Sequence, residues 1–302
     1  MYAIIGLYEL EFKMEKEKID QIIKKVAAIN DLSCLGGASL TEIIPVMAAL
    51  GVETYPVPTL VLSTHTGGYE GYTYHDLTEH MKAQSKHWHE LNVSFNAIYS
   101  GYLGSSKQIS VVENFIDTFK NEHNLVLVDP VLGDEGQYYP SIDKNLVVDM
   151  RRLVSKADII TPNLTEAFFL AGIDYQARPS DSLIQEVIKR LKELGPRAIV
   201  ITSVPASQGK IANLIIKDDL IAKVEGDYLG YHFPGTGDIF AAVLLGVYLN
   251  KPDLLTATKI ASDFIYDAIL FSKDKDYSHR SGVLLEAVLP KLFAHNPFFS
   301  KN

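Results

Sequence analysis

With one cysteine, Cys34, in 302 residues, the chain can form neither an intrachain disulfide nor a Cys-rich zinc site, and a lone thiol suits a reducing compartment. No run of about 18 uncharged apolar residues occurs, which excludes a membrane-spanning helix. The apolar stretch from Tyr2 to Leu10 has no basic region before it, is interrupted by Glu9 and followed by Glu11, and leads to no small-residue cleavage signal. No secretory signal is predicted, and a cytoplasmic location is the expectation. Positive charge is scarce: Lys and Arg total 28 against 37 Asp and Glu, a net charge of -9. Binding to nucleic acid by counterion release therefore has no global support. The chain also lacks a Gly-x-x-x-x-Gly-Lys-Ser/Thr loop and the catalytic-loop signature of protein kinases. An anionic substrate would have to be held locally, by metal ions and backbone dipoles.

What is present is an ordinary globular composition, 47% hydrophobic and 22% charged, long enough for one large domain or two smaller ones. Residues 1 to 25 read as an N-terminal extension, with a solvated helical face from Lys13 to Lys25. Residues 26 to 302 read as a single domain. Apolar runs rich in β-branched residues alternate there with segments of helical period, the pattern of a mostly parallel sheet with crossover helices. Strands are predicted at Val26 to Asn30, Thr54 to Ser63, Ala97 to Ser100, Leu125 to Asp129, Asp158 to Thr161, Ala198 to Thr202 and Ala212 to Lys217. Helices are predicted at Thr41 to Leu50, Gln108 to Asn121, Asp181 to Leu194, Ile239 to Leu249 and Leu254 to Phe271. Small, polar or acidic residues follow the strands, among them Asp31, Thr64 to Gly68, Gly101, Asp129 to Gly133 and Thr161 to Glu166. In an open parallel sheet, ligands bind beyond the carboxyl ends of the strands, so that edge is the expected site.

The most specific segment is Gly235-Thr236-Gly237-Asp238, ahead of the apolar run Ile239 to Gly246. Two glycines permit a sharp turn, and the free amides at the start of the following helix would form an anion hole able to hold a phosphoryl group without a lysine. Asp238 would then accept a proton from an attacking hydroxyl. Asp238 also has a plainer reading, as the cap of that helix.

Read with Ser63 to Tyr69, Ser100 to Ser105, Val128 to Asp134, Thr161-Pro162-Asn163-Leu164-Thr165-Glu166 and Ile29 to Cys34, this turn resembles the ribokinase-like superfamily. The closest likeness is to its vitamin-kinase branch of pyridoxal, pyridoxamine and hydroxymethylpyrimidine kinases. The likeness extends from about Val26 to about Leu289. It implies a three-layer α/β/α fold with a central, mostly parallel sheet, and transfer of the γ-phosphoryl group of ATP to the hydroxymethyl group of a B6 vitamer. It casts Asp238 as general base and Gly235, Thr236 and Gly237 as anion hole. Asn163 matches a nucleotide-site position, and Glu166 an acid that organises Mg²⁺ through water. Asp129 and Thr161 match a monovalent-cation site, for K⁺ or Na⁺. Asp134 and the Thr202-Ser203 pair match nucleotide contacts, and Thr66 a substrate contact. Asp31 stands where pyridoxal kinases commonly have Ser, which implies a charge-assisted bond to an amine-bearing acceptor. A homodimer is the further expectation.

Each residue has a plainer role beside this one. Glu166 would complement the dipole of a helix starting at Leu164, Asp129 and Asp134 suit turns, and His65 reads as structural. His80, His87 and His89, with Trp88, fall on a surface helix without metal-ligand spacing. Two rival functions stand: a hydroxymethylpyrimidine kinase, and a catalytically silent ligand-binding protein on the same fold.

Overall fold

The computed structural model describes residues 23–299. In chain order its elements are β1 (Lys24–Ser33), α1 (Leu40–Ala49), β2 (Val52–Leu62), β3 (Tyr74–Asp76), α2 (Thr78–Glu90), β4 (Ala97–Ser100) and α3 (Ser106–Phe119). There follow β5 (Leu125–Val128), a small hairpin of β6 (Gly133–Asp134) and β7 (Gln137–Tyr138), α4 (Leu146–Val154), β8 (Ile159–Ile160), α5 (Leu164–Ala171) and α6 (Asp181–Glu193). The chain continues through β9 (Ala198–Pro205), β10 (Lys210–Lys217), β11 (Leu220–Asp227), α7 (Thr236–Asn250), α8 (Leu254–Ser272) and α9 (Leu285–Val288), with 3₁₀ turns at His279–Ser281 and Leu289–His295.

The main sheet runs β11-β10-β9-β8-β5-β4-β1-β2-β3. The strands from β9 to β2 are mutually parallel, and β3, β10 and β11 are antiparallel additions at the two edges. Alternation along each parallel strand builds two cores, because successive side chains leave opposite faces. Ala27, Ile29, Ile98, Val126, Ile160 and Ile199 pack with helices α2 to α6. Their neighbours Val26, Ala28, Tyr99, Leu127, Ile159 and Val200 pack with α1, α7, α8 and α9. The three-layer architecture expected from the sequence is the one observed.

Local chemistry sets the details. Pro56 and Pro58 interrupt β2 only where its outer side has no strand partner, since β3 pairs with Leu60 to Leu62 alone. Helix α7 is buried along Ile239 to Val247 and, wedged between α1 and α8, is apolar all round, as a core helix should be. The single hydrogen bonds Asp158 N–H to Val126 and Thr161 N–H to Val128 extend β8 to the expected length. Strand β11 and helix α4 are not among the elements predicted from the sequence. Strand β11 alternates charged and apolar residues at an exposed edge, and α4 is only nine residues long. The helical face expected over residues 13 to 25 lies outside the described residues except for its end, where Lys24 and Lys25 are strand. No helix among the described residues is long and apolar enough to cross a membrane.

Strand order reverses between β1 and β4: the chain adds β2 on one side of β1 and then β4 on the other. A crevice opens at such a switch point. Close packing beneath it is set by Gly246 of α7, where an added Cβ would come within 2.6 Å of Leu50 Cδ1. Replacing Gly246 by Val should destabilise the fold by about 1 to 3 kcal/mol through overpacking, read as a lower urea midpoint, and an unchanged midpoint would contradict this packing.

Candidate active site

The turn before α7 lies at this switch point. Gly235 takes φ 79°, and a Cβ there would meet the Gly37 carbonyl oxygen at 2.4 Å, so both the left-handed backbone and the close approach require glycine. No side chain caps α7, and the Thr236 hydroxyl donates instead to the Phe233 carbonyl at 3.0 Å. The amides of Thr236, Gly237 and Asp238 have no partner within the helix.

Asp238 does not cap its own helix. Its Oδ1 accepts from Asn30 Nδ2 at 3.0 Å and its Oδ2 from the Ser39 amide at 2.9 Å. Burial, and after it the charge of Asp31, pushes the carboxyl up to about 6, against the two hydrogen bonds that favour the ionised form. The group remains partly exposed, within reach of a substrate. Asn30 is fixed in turn, its Oδ1 accepting from the amides of Asp31 and Tyr102 at 2.9 Å each. Glycine at position 101 leaves room for it, since a Cβ there would meet Asn30 Nδ2 at 2.3 Å.

Asp31 is buried, and each carboxylate oxygen receives a hydroxyl, from Ser33 at 2.8 Å and from Ser39 at 2.5 Å. Burial raises its affinity for a proton and the hydroxyls lower it. Thr66 lies in the loop after β2, which is pinned by His65. The His65 Nδ1 accepts from the Gly67 amide at 3.0 Å, so its Nε2 is the donor to the Arg280 carbonyl at 2.6 Å. These two bonds fix the orientation of the ring and tie the loop to the Arg280 backbone.

Two further acids lie under the parallel strand ends. Thr161 Oγ1 donates to Asp129 Oδ1 at 3.0 Å, and burial together with the charges of Glu166 and Asp238 raises the Asp129 carboxyl well above its usual range. Glu166 closes a capping box on α5: its Oε2 accepts from the Asn163 amide at 2.9 Å while Asn163 Oδ1 accepts from the Glu166 amide at 2.9 Å. Its Oε1 accepts from the Leu132 amide at 3.0 Å, and Asn163 Nδ2 reaches the Gly133 carbonyl at 2.8 Å. The plainer reading of Glu166 as part of a helix start is therefore present in the structure, and the same bonds hold the carboxylate beside Asp129. Asp134 is exposed on the β6–β7 hairpin, accepting from the Glu135 amide at 2.8 Å. Thr202 bridges to Asn163, whereas Ser203 points outward at φ 61°. Asp31, Asp129, Thr161, Asn163, Glu166, Thr202 and Asp238 thus converge on the carboxyl edge of the sheet, with Asp134 and Ser203 at its rim.

Asn30, Ser39 and Glu42 have no role among those expected from the sequence. Asn30 carried the available signal, a polar side chain closing a buried apolar strand. Charge is distributed unevenly. At the opposite end of the sheet, buried Asp158 pairs with Lys120 and Arg197, each at 3.2 Å. Among the described residues, no ion pair reaches Asp31, Asp129, Glu166 or Asp238. Such an array suits cations that arrive with a ligand. No group of three or more His, Cys, Asp or Glu among the described residues is arranged to hold a metal ion directly.

The phosphomethylpyrimidine kinase family model matches residues 34–283. Pyridoxal kinase of Dictyostelium discoideum is 28% identical over 263 residues, 81% of this chain and 85% of its own. Pyridoxal kinase of Arabidopsis thaliana is 30% identical over 228 residues, 68% of each chain. Among solved structures, a Bacteroides thetaiotaomicron protein assigned as a phosphomethylpyrimidine kinase, crystallised with pyridoxal, is 41% identical, with TM-score 0.85 over 89% of this chain and 96% of its own. Pyridoxal kinase of Lactobacillus plantarum is 30% identical, with TM-score 0.83 over 90% and 97%.

Carbon NMR of the Asp238 carboxyl should show a titration midpoint near pH 6. In Asn30→Ala, which removes a donor to the ionised form, the midpoint should move upward; an unmoved midpoint would contradict the pairing.

Proposed function

This chain belongs to the phosphomethylpyrimidine kinase family, and from that premise we propose that it transfers the γ-phosphoryl group of ATP to the 5′-hydroxymethyl group of a B6 vitamer. The observation that carries the mechanism is the bonding of Asp238 to Asn30 and Ser39, away from its own helix. The ionised carboxylate takes the proton of the vitamer alcohol as its oxygen bonds to the γ-phosphorus. The bond from that phosphorus to the β–γ bridging oxygen breaks, and ADP leaves. Negative charge on the transferring group is met by the amides of Thr236 to Asp238, preorganised by the glycine turn. Relatives called pyridoxal kinases support the vitamer as acceptor, in preference to hydroxymethylpyrimidine.

Mg²⁺, held through water by Glu166 with Asp129 beside it, would neutralise phosphate charge when bound. A monovalent cation, K⁺ or Na⁺, at Asp129 and Thr161 belongs to the same proposal. So do nucleotide contacts from Asp134, Asn163, Thr202 and Ser203, a vitamer contact from Thr66, a homodimer and a cytoplasmic location. Asp31 favours an amine-bearing vitamer: its oxygens accept one hydroxyl each, and a carboxylate oxygen can accept more than one donor.

An ADP-release assay across pyridoxal, pyridoxine, pyridoxamine and hydroxymethylpyrimidine should show turnover on the vitamers, highest with pyridoxamine, and that preference should shrink in Asp31→Ser. Asp238→Ala should lower kcat by about 10² to 10⁴. Activity confined to the pyrimidine alcohol would overturn the acceptor, and full activity in Asp238→Ala would overturn the base.

Burial pushes the Glu166 carboxyl up to about 8, and Glu166→Gln keeps one oxygen able to complete the capping box but removes the ionisable group and the second amide acceptor. Its half-saturating Mg²⁺ concentration should rise, and a Mg²⁺ dependence like that of the wild type would reduce Glu166 to a helix brace.

A further inference from the structure

Glu42, on the first turn of α1, is buried at 5% exposure, and its Oε2 has no hydrogen-bond partner among the described residues. A buried acid left in that state is costly unless it is neutral. Its place is specific. The carboxyl fills the space where a side chain on residue 37 would lie, since a Cβ on Gly37 would come within 1.9 Å of Glu42 Oε1. The Gly37 amide donates to the Ser281 carbonyl at 2.8 Å. The Gly37 carbonyl oxygen in turn lies against Gly235 and Gly282, at 2.4 and 2.7 Å from the positions their Cβ atoms would take. Two residues further on, the Ser39 amide holds Asp238. Glu42 therefore backs the short segment that both abuts the glycine turn and grips the catalytic carboxylate.

Helix α1 packs on α7, β1, β2 and the Leu289–His295 turn. The charged groups acting on the Glu42 carboxyl are Glu286 of α9 and Asp238 of α7, both acids. Burial first, and then these two charges, push it up to about 7.

We propose that Glu42 is a positioning residue for the transfer reaction: as a neutral acid it braces the Gly36–Ala38 segment against the Gly235 turn, and its ionisation unseats that turn. An ionised carboxylate in the same pocket faces Asp238 and Glu286, with no cation among the described residues acting to offset it. It is drawn toward water and displaces the segment carrying the Ser39 amide. The proposal rests on the kinase reading for its effect on turnover, while its effect on stability is independent of that reading.

The test compares wild type with Glu42→Gln, which keeps the shape without the charge, using the full chain, MgATP and pyridoxal. Wild-type kcat should be about 25-fold lower at pH 8.5 than at pH 6.5, following the neutral fraction of a group titrating near 7. In Glu42→Gln this fall should disappear, with KM for pyridoxal showing no matching change in either protein. A Gln variant whose kcat falls as the wild type's does overturns the proposal.

Thermal unfolding separates this failure from failure of the kinase reading. A carboxyl whose folded-state affinity for protons exceeds its unfolded one loses stability as pH rises between the two values, and not above them. The wild-type Tm should therefore decline relative to Glu42→Gln between pH 5 and 7, then run parallel to it. A gap constant from pH 5 to 8 overturns the brace, whether or not the enzyme turns over pyridoxal.

Discussion

The site depends on where one carboxylate finds its donors. An acid at the third position of a helix can turn back to the backbone amide of the residue that caps it. Asp238 instead reaches across the crevice to Asn30 and Ser39, residues 208 and 199 positions away in the chain. That choice leaves the α7 amides free for an anion and puts a proton acceptor next to them. Glycine at 235, 37 and 282 lets the backbones approach closely enough for it, and the reversal of strand order between β1 and β4 provides the gap.

Electrostatics follow from the same arrangement. Asp158, buried at the far end of the sheet, has two basic partners, whereas the acids of the carboxyl edge push one another toward the protonated form. An edge of this kind is poorly satisfied by itself. In the proposed reaction it would become complementary when cations and a nucleotide arrive together, so that a chain of net charge -9 would hold a polyphosphate without a lysine-bearing loop.

Most of the sheet was legible from sequence because its strands are buried on both faces and read as short β-branched runs, Val26 to Asn30 and Ala198 to Thr202 among them. Strand β11 was not, since an edge strand with one wet face mixes Lys, Glu and Asp into its pattern. The glycine turn and the Asn163–Glu166 pair were legible for a different reason: each is a local motif whose geometry is fixed within four residues. Asn30, Ser39 and Glu42 act through contacts that exist only after β1, α1 and α7 have been brought together. No spacing in the sequence marks such contacts. The choice between cap and base for Asp238 was open for the same reason; its hydrogen-bond partners speak against the cap, and the base is the role proposed for it.

The central claim is that amides of a helix start, beside an uncapped acid, receive the transferring phosphate. The most direct measurement is a crystal structure with Mg²⁺, a non-hydrolysable ATP analogue and pyridoxine. The account predicts terminal phosphate oxygens within about 3.2 Å of the Thr236 to Asp238 amides, with the vitamer hydroxyl beside the Asp238 carboxylate. A terminal phosphate held elsewhere, with Asp238 out of reach of the alcohol, would contradict it.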